Sequence, residues 1–162
     1  MILSLPDLLS RISDRLAEDV LPALTTAGWP ASHVRSTLVL LAYAQSLLVN
    51  GPSFLVHEIA AIRVLLAEGK AVLEDNGFQQ SLIDDIAEVT AESDLITISN
   101  LDDLQAIFSQ HQALLADLIE LGHSAPAAVW PQTLRTHIDC YLKDYAKREK
   151  VLFGEVIAMS PL

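Results

Sequence analysis

Five histidines are the residues of this 162-residue chain that could most readily bind a metal. A di-metal site in a helical protein needs Glu-x-x-His on each of two helices and two further glutamates. Only Glu120 and His123 have that spacing, and Gly122 between them predicts that the helix ends there. We therefore predict no metal site, and a metal-binding helical bundle stays open as an alternative. The histidines are His33, His57, His111, His123 and His137.

The residues that could act as nucleophiles lack the neighbours that would activate them. The single cysteine, Cys140, follows Asp139 rather than the cationic residues that stabilise a thiolate. The sequence contains no G-x-S-x-G, no G-x-G-x-x-G and no G-x-x-x-x-G-K-[ST] motif. We therefore predict no catalytic residues and no cofactor, and the chain leans toward a protein that is not an enzyme.

Two Trp-Pro dipeptides are each followed by an arginine and flanked by a histidine. Both stretches predict a helix start, where free N–H groups and the positive end of the helix dipole favour an anion. An arginine adds a bidentate grip on carboxylate or phosphate. A ligand-binding site for a small anionic or acyl molecule is therefore one alternative, and a purely structural role for these residues is the other. The six candidates are Trp29, His33, Arg35, Trp130, Arg135 and His137.

The same Trp-Pro dipeptides raise the hypothesis of an internal duplication. Residues 5–36 and 101–136 each run from a Leu-x-Asp-Leu helix start through a loop to Trp-Pro and then to an arginine. If the match is genuine, two helical hairpins are related by approximate symmetry. Chance similarity between leucine-rich helices is the alternative. The second copy is also amphipathic where the first is wholly apolar.

The elements that must position these residues are predicted to be helices throughout. Apolar residues recur every three or four positions, as on one face of a helix, in five stretches. Ser4 and Asn100 are suitable N-caps, and Pro22 predicts a kink or an early helix end. His111 falls on the apolar stripe of its helix, which predicts a buried histidine with a hydrogen-bond partner. Leu95–Ile98 predicts a short extended connector.

One further stretch, Trp29–Asn50, is predicted to be the buried centre of the fold. No Lys, Arg, Asp or Glu occurs from Ser36 to His57, and apolar residues point to every side of a helix. Such a helix is either central or membrane-spanning. Asn50-Gly51-Pro52-Ser53 predicts a turn that cuts the run short of the roughly 20 residues of a span. The expected fold is all-α, an antiparallel bundle of about six helices around a central apolar helix at residues 30–49.

The net charge indicates which partners to expect, and the cysteine content helps to indicate the cellular location. The net charge is −11, and Ala71–Leu134 contains eleven acids and no Lys or Arg. A nucleic acid is therefore not expected as a partner, because it requires cationic surface. The length predicts one domain, residues 1–162. One cysteine and no evident signal peptide predict a cytoplasmic protein, and we expect no membrane association.

The first third of the chain resembles a family of small, uncharacterised bacterial helical proteins. The similarity covers about residues 6–52 and is carried by the blocks at 6–9, 18–24, 33–35 and 51–52. Genes of that family tend to lie beside acyl-CoA dehydrogenases and aminoglycoside-phosphotransferase-like kinases. The resemblance implies an accessory role near acyl-CoA or phosphotransfer chemistry. The family pattern has asparagine where this chain has Val39.

The function that the sequence favours is that of a non-catalytic helical module. Apolar residues make up 51% of the chain and charged residues 19%, which is more apolar than a typical soluble domain. The surplus fits a well-buried core, an oligomer interface or a ligand cavity. We therefore expect self-association, as a homo-oligomer, or binding to a partner protein, with a small anionic ligand as the alternative.

Overall fold

The computed structural model describes residues 4–24, 28–91, 100–125 and 129–158, and the side chains within them except those of 28–29 and 153–158. Every regular element in these ranges is a helix, so the all-α prediction is confirmed. The predicted connector Leu95–Ile98 lies outside the described residues. Five helices follow one another: α1 (Leu5–Arg15, continued by Leu16–Val20 and Leu21–Ala23), α2 (Gly28–Asn76), α3 (Gln80–Ala91), α4 (Leu101–Ser124) and α5 (Gln132–Ala158).

Short-range signals determine where α1 begins and ends. Ser4 accepts a hydrogen bond from the backbone N–H of Asp7, which caps the helix as predicted. Residues Leu16–Val20 form a π-helical turn, closed by the N–H of Leu21 on the carbonyl of Leu16. Because Pro22 has no N–H, it cannot supply the ordinary α-helical bond at this point. The helix ends at Ala23, directly after Pro22, which confirms the predicted early end.

Helix α2 corrects the prediction of a turn at Asn50–Ser53. The helix runs through Gly51 and Pro52 without a break, so the two helices predicted on either side are one. A proline accepts helical backbone angles, although it removes one N–H and its ring crowds the carbonyl four residues earlier. Gly51 is buried within this helix. The helix ends at Asn76, where Gly77 has a φ of 66°, as the Asn-Gly pair predicts.

The chain divides into two compact units. Unit 1 comprises Met1–Pro52 and Lys147–Leu162, and unit 2 comprises Ser53–Ala146. Helix α2 contributes its first half to unit 1 and its second half to unit 2, and α5 is also divided. The prediction of a single domain stays a prediction.

Unit 2 contains the hydrophobic core of the described residues. Leucine and isoleucine dominate it, at the positions that the helical periodicity predicts in α2, α3 and α4. The hydrogen bond between His137 Nδ1 and Glu68 Oε2, at 2.8 Å, joins α5 to α2. The rings of Phe54 and Phe108 lie against Tyr145, with centroids 6.0 and 6.3 Å away. The α2 residues of this core are Leu55, Ile59, Ile62, Leu65, Leu66 and Leu73.

Unit 1 differs, and it overturns the prediction that residues 30–49 are the buried centre. Ala31 is the one buried residue in that range, and Leu40 is 67% exposed. The absence of charge indicated that the stretch avoids water, but it carries no information about which surface covers it. An apolar helix without a polar face suits an interface between chains as well as it suits a core.

Candidate functional site

A cleft of about 360 Å³ lies beside the end of α4 and the start of α5, within unit 2. Trp130 and Arg135 line it, so the structure brings together two of the six residues predicted for ligand binding. Trp130 is 3% exposed, and its indole packs against Gly122, where any side chain would meet the ring. The glycine that suggested a helix end is therefore a point of close approach inside α4. The remaining lining residues are Ile119, Gly122, His123, Gln132, Ile138, Asp139 and Leu142.

Arg135 already has a structural partner in this cleft. Its Nη2 donates a hydrogen bond to the carbonyl of Gly122, at 3.3 Å. That carbonyl lies in the last turn of α4, where backbone acceptors have no partner within the helix. A guanidinium has five N–H donors, so this bond uses a fraction of its capacity. Asp139 brings a carboxylate to the same cleft, which offsets part of the positive charge.

The other predicted site residues are distributed over both units. His137 contacts Glu68 through Nδ1, at 2.8 Å, and is exposed. His33 and Arg35 are exposed on α2 in unit 1. The Trp29 side chain lies outside the described residues, so the symmetry proposed between its surroundings and those of Trp130 stays a prediction.

The core of unit 2 also contains a buried polar side chain, that of His111. His111 is 1% exposed, which confirms the prediction of a buried histidine. Arg63 Nε donates to His111 Nε2 at 3.1 Å, and His111 Nδ1 lies 2.8 Å from the carbonyl of Ile107. Because Nε2 accepts, the proton must be on Nδ1, and the imidazole is neutral. Both nitrogens are engaged, so His111 has no lone pair to offer a metal or a substrate.

Glu58 is the polar core residue that the sequence analysis missed. It is fully buried on α2, one turn after Phe54 and three residues after Leu55. The sequence did contain a signal for this burial, because Glu58 lies on the same helix face as Leu55, three residues before it, and Ile62, four residues after it. A buried carboxyl group requires hydrogen-bond partners, because removing it from water is otherwise costly.

Among the described residues, no group of three or more His, Cys, Asp or Glu side chains is placed to hold a metal ion. The alternative of a metal-binding bundle therefore gains no support. Cys140 is exposed on α5.

Unit 1 exposes large apolar side chains on two of its helices. Large aliphatic and aromatic side chains are exposed along α1 and the first half of α2, among them Leu5, Leu8, Ile12, Val20, Leu40, Tyr43 and Val49. Unit 1 contains six Lys or Arg and six Asp or Glu, so its net charge is zero. Unit 2 contains four and fifteen, so it carries the whole −11. Large contiguous apolar patches are typical of interaction surfaces.

The comparisons with known proteins identify no relative. No protein-family model, no curated protein and no solved structure matches this chain. The resemblance of residues 6–52 to the bacterial helical family therefore stays a prediction.

The length of α2 also bears on the expectation of no membrane association. From Pro30 to Asn76 the helix is long and apolar enough to cross a bilayer, and 11% of the qualifying window is buried. The core helix of a soluble protein or a signal sequence satisfies the same criterion. The turn at Asn50, on which the sequence argument against a span depended, is absent from the structure.

Proposed function

We propose that this chain is a non-catalytic helical module that self-associates through the apolar surface of unit 1. The observation that carries the proposal is the exposure of large apolar side chains on a unit of zero net charge. Two copies can bring these surfaces together without charge repulsion, whereas two copies of unit 2 would repel each other. Burial of such surface stabilises association by roughly 25 cal/mol per Å² before the entropic cost of binding.

Self-association accounts for α2 better than a membrane span does. The charge-free part of α2 in unit 1 runs from Ser36 to Pro52, which is 17 residues. At 1.5 Å per residue this part is about 25 Å long, short of the roughly 30 Å of a bilayer interior. Beyond it, Leu55 and Ile59 belong to the core of unit 2 and are not accessible to lipid.

The arrangement of unit 2 is part of the proposal. We propose that its four helical segments form an antiparallel bundle. The contacts of α5 support this, because Tyr145 meets Phe54 while His137 meets Glu68. From Phe54 to Glu68 the residue numbers on α2 increase, while those of their partners on α5 decrease from Tyr145 to His137, as expected of antiparallel neighbours. The resemblance to the bacterial family would then give the module an accessory role near acyl-CoA or phosphotransfer enzymes in the cytoplasm.

Sedimentation velocity on the full chain, from about 1 to 100 μM, tests self-association. We expect the wild type to dimerise or form a larger oligomer in this range. Leu40→Glu should weaken association at least 10-fold, because it places a charge in the apolar surface. Val64→Glu is the matched control, since Val64 is 59% exposed on the same helix but belongs to unit 2. A wild type that stays monomeric at 100 μM, or equal effects of the two variants, would refute the proposal.

The cleft at Trp130 favours a second candidate function, the binding of a small carboxylate. Its volume lies at the lower end of the range for ligand pockets. Arg135 supplies donors, and the apolar wall of Ile119 and Leu142 suits an acyl or aromatic body. Arg135→Ala should weaken binding of benzoate or a short fatty acid at least 10-fold by calorimetry. Lys143→Ala, an exposed cation on the same helix, should leave binding unchanged. If the wild type binds neither ligand at millimolar concentration, this candidate fails.

A further inference from the structure

The cleft at Trp130 contains two opposite charges that do not pair with each other. Arg135 and Asp139 both line it and lie four residues apart on α5. Opposite charges at this spacing ordinarily attract each other across one helical turn. The Arg135 guanidinium instead donates to the carbonyl of Gly122 in α4, at 3.3 Å. Asp139 forms no hydrogen bond or ion pair with any residue of the described ranges, so its carboxylate is available to a ligand.

Both charged groups have hydrogen-bonding capacity that the described residues do not use. A guanidinium has five N–H donors, and the bond to Gly122 occupies one of those of Arg135. The remaining donors suit a carboxylate, which a guanidinium binds bidentately. The Asp139 carboxylate has acceptors alone, so it suits a cationic donor such as an ammonium group. The cleft is therefore complementary to a ligand that carries a carboxylate and an ammonium group together.

An apolar wall continues the cleft beyond the two charges. Leu142 lies three residues after Asp139 and seven after Arg135, so it shares their face of α5. It is 44% exposed, and Ile119 of α4 is a second, half-buried member of the wall. An apolar group of a ligand would remove this surface from water, which is favourable. The volume of about 360 Å³ suits one small molecule.

The charge of unit 2 favours a zwitterion over a simple anion or cation. Unit 2 carries the net charge of −11, so a bare carboxylate approaches it against a repulsive field. A simple cation is attracted to the unit but meets the Arg135 guanidinium inside the cleft. A zwitterion has no net charge, and each of its two charged groups finds an opposite charge.

We infer that this cleft binds a free α-amino acid with an apolar side chain. Its carboxylate contacts Arg135, its ammonium group contacts Asp139, and its side chain packs against Ile119 and Leu142. The backbone positions of Arg135 and Asp139 are about 6 Å apart along α5, which adjacent charges on one ligand carbon can span with a hydrogen bond at each end. The inference rests on the second candidate function, the binding of a carboxylate, and names the class of ligand.

Three ligands of similar shape test the assignment by calorimetry on the full chain. L-Phenylalanine carries both charges, hydrocinnamate lacks the ammonium group and phenethylamine lacks the carboxylate. We expect phenylalanine to bind the wild type about 5-fold more tightly than either of the others, because each of these forgoes one partly exposed ion pair. A wild type that binds hydrocinnamate or phenethylamine as tightly as phenylalanine would overturn the assignment of a zwitterion.

Asp139→Asn separates the ammonium contact from the rest of the site. The change removes the charge of an exposed side chain and keeps its shape, so we expect the fold to be retained. Binding of phenylalanine should weaken about 5-fold, whereas binding of hydrocinnamate should strengthen, because the charge that repels it is gone. A loss of folding cannot produce changes of opposite sign. Asp103→Asn neutralises an exposed aspartate at the start of α4, outside the cleft, and should change neither affinity.

The outcomes distinguish this inference from the functions proposed above. If Asp139→Asn changes both affinities in the same direction, or changes neither, the ammonium contact is wrong and carboxylate binding at Arg135 still stands. If the wild type binds none of the three ligands at millimolar concentration, the inference and the carboxylate site both fail. Self-association through unit 1 is measured separately by sedimentation, and none of these results alters it.

Discussion

Replacing His111 by alanine should lower the free energy of unfolding of unit 2 by roughly 4 kcal/mol. The substitution leaves a cavity among core side chains, which costs about 2–5 kcal/mol for residues of this size. It also removes the acceptor of the Arg63 Nε–H and the donor to the carbonyl of Ile107. A buried polar group that loses its partner costs about 1–3 kcal/mol, less where water enters the cavity. The two contributions overlap, so the total lies below their simple sum.

Urea denaturation followed by tryptophan fluorescence can measure this change in unit 2 alone. In a Trp29→Phe background, Trp130 is the single tryptophan of the chain and reports on the end of α4. His123→Ala is the matched control, because His123 is an exposed histidine on the same helix and should change stability by less than 0.5 kcal/mol. A His111→Ala variant as stable as this control would show that the buried contacts contribute nothing to the core.

A double-mutant cycle would separate the hydrogen bond from the cavity. Arg63→Met alone and His111→Ala alone each remove the Arg63–His111 contact. If that contact stabilises the fold, the double variant should cost about 0.5–3 kcal/mol less than the sum of the two single changes. Additive effects would show that the whole loss of stability in His111→Ala comes from packing and not from the hydrogen bond.

The buried face of unit 2 could be predicted from the sequence because its pattern is periodic. Leu55, Ile59, Ile62, Leu66 and Leu73 recur at helical spacing, and all are buried. His111 was predicted by the same reasoning, since a polar residue on an apolar stripe inherits the burial of its neighbours. The partner of its Nε2, Arg63, is 48 positions away, and no local pattern links two residues across that separation.

The errors arose where composition was taken to indicate location. The run from Ser36 to His57 lacks charge, and the sequence placed it at the centre, but Leu40 is mostly exposed. Asn50-Gly51-Pro52 has the composition of a turn, yet α2 continues through it because each of these residues also accepts helical backbone angles. Packing on both sides decides between the two outcomes, and packing is not visible in a local stretch.

The sequence predicted only part of the candidate site, because residues that are close along a helix do not all face the same way. Trp130 and Arg135 are five residues apart and share one helix start, so local sequence sufficed to associate them with one cleft. His137 is two residues further along and faces Glu68 of α2 instead. Successive side chains of a helix diverge by about 100°, so a cluster that is compact in sequence need not be compact in space.

Replacing Gly122 by valine should produce the second large effect, a destabilisation of roughly 3 kcal/mol. A Cβ at this position would lie 2.5 Å from Trp130 Cε2 and 2.7 Å from Nε1. An indole is rigid, so it cannot relieve the overlap by rotating a terminal group and must leave its place. Overpacking of this kind costs about 1–3 kcal/mol, and a displaced tryptophan forfeits part of its burial as well. Gly122→Ala should cost less, because alanine favours a helix by about 1 kcal/mol over glycine.

The emission of Trp130 distinguishes this mechanism from a general loss of stability. In the Trp29→Phe background, Gly122→Val should shift the emission of the folded protein to longer wavelength, because the indole moves toward water. Ala116→Val introduces the same branched side chain at an exposed position of α4 and should cause neither the shift nor the destabilisation. Combined with Trp130→Ala and followed by circular dichroism, because no tryptophan then remains, Gly122→Val should cost far less than it does alone, since the atoms that it overlaps are gone. Additive costs, or an unshifted emission, would mean that the glycine is dispensable and that the wall of the cleft is held by other contacts.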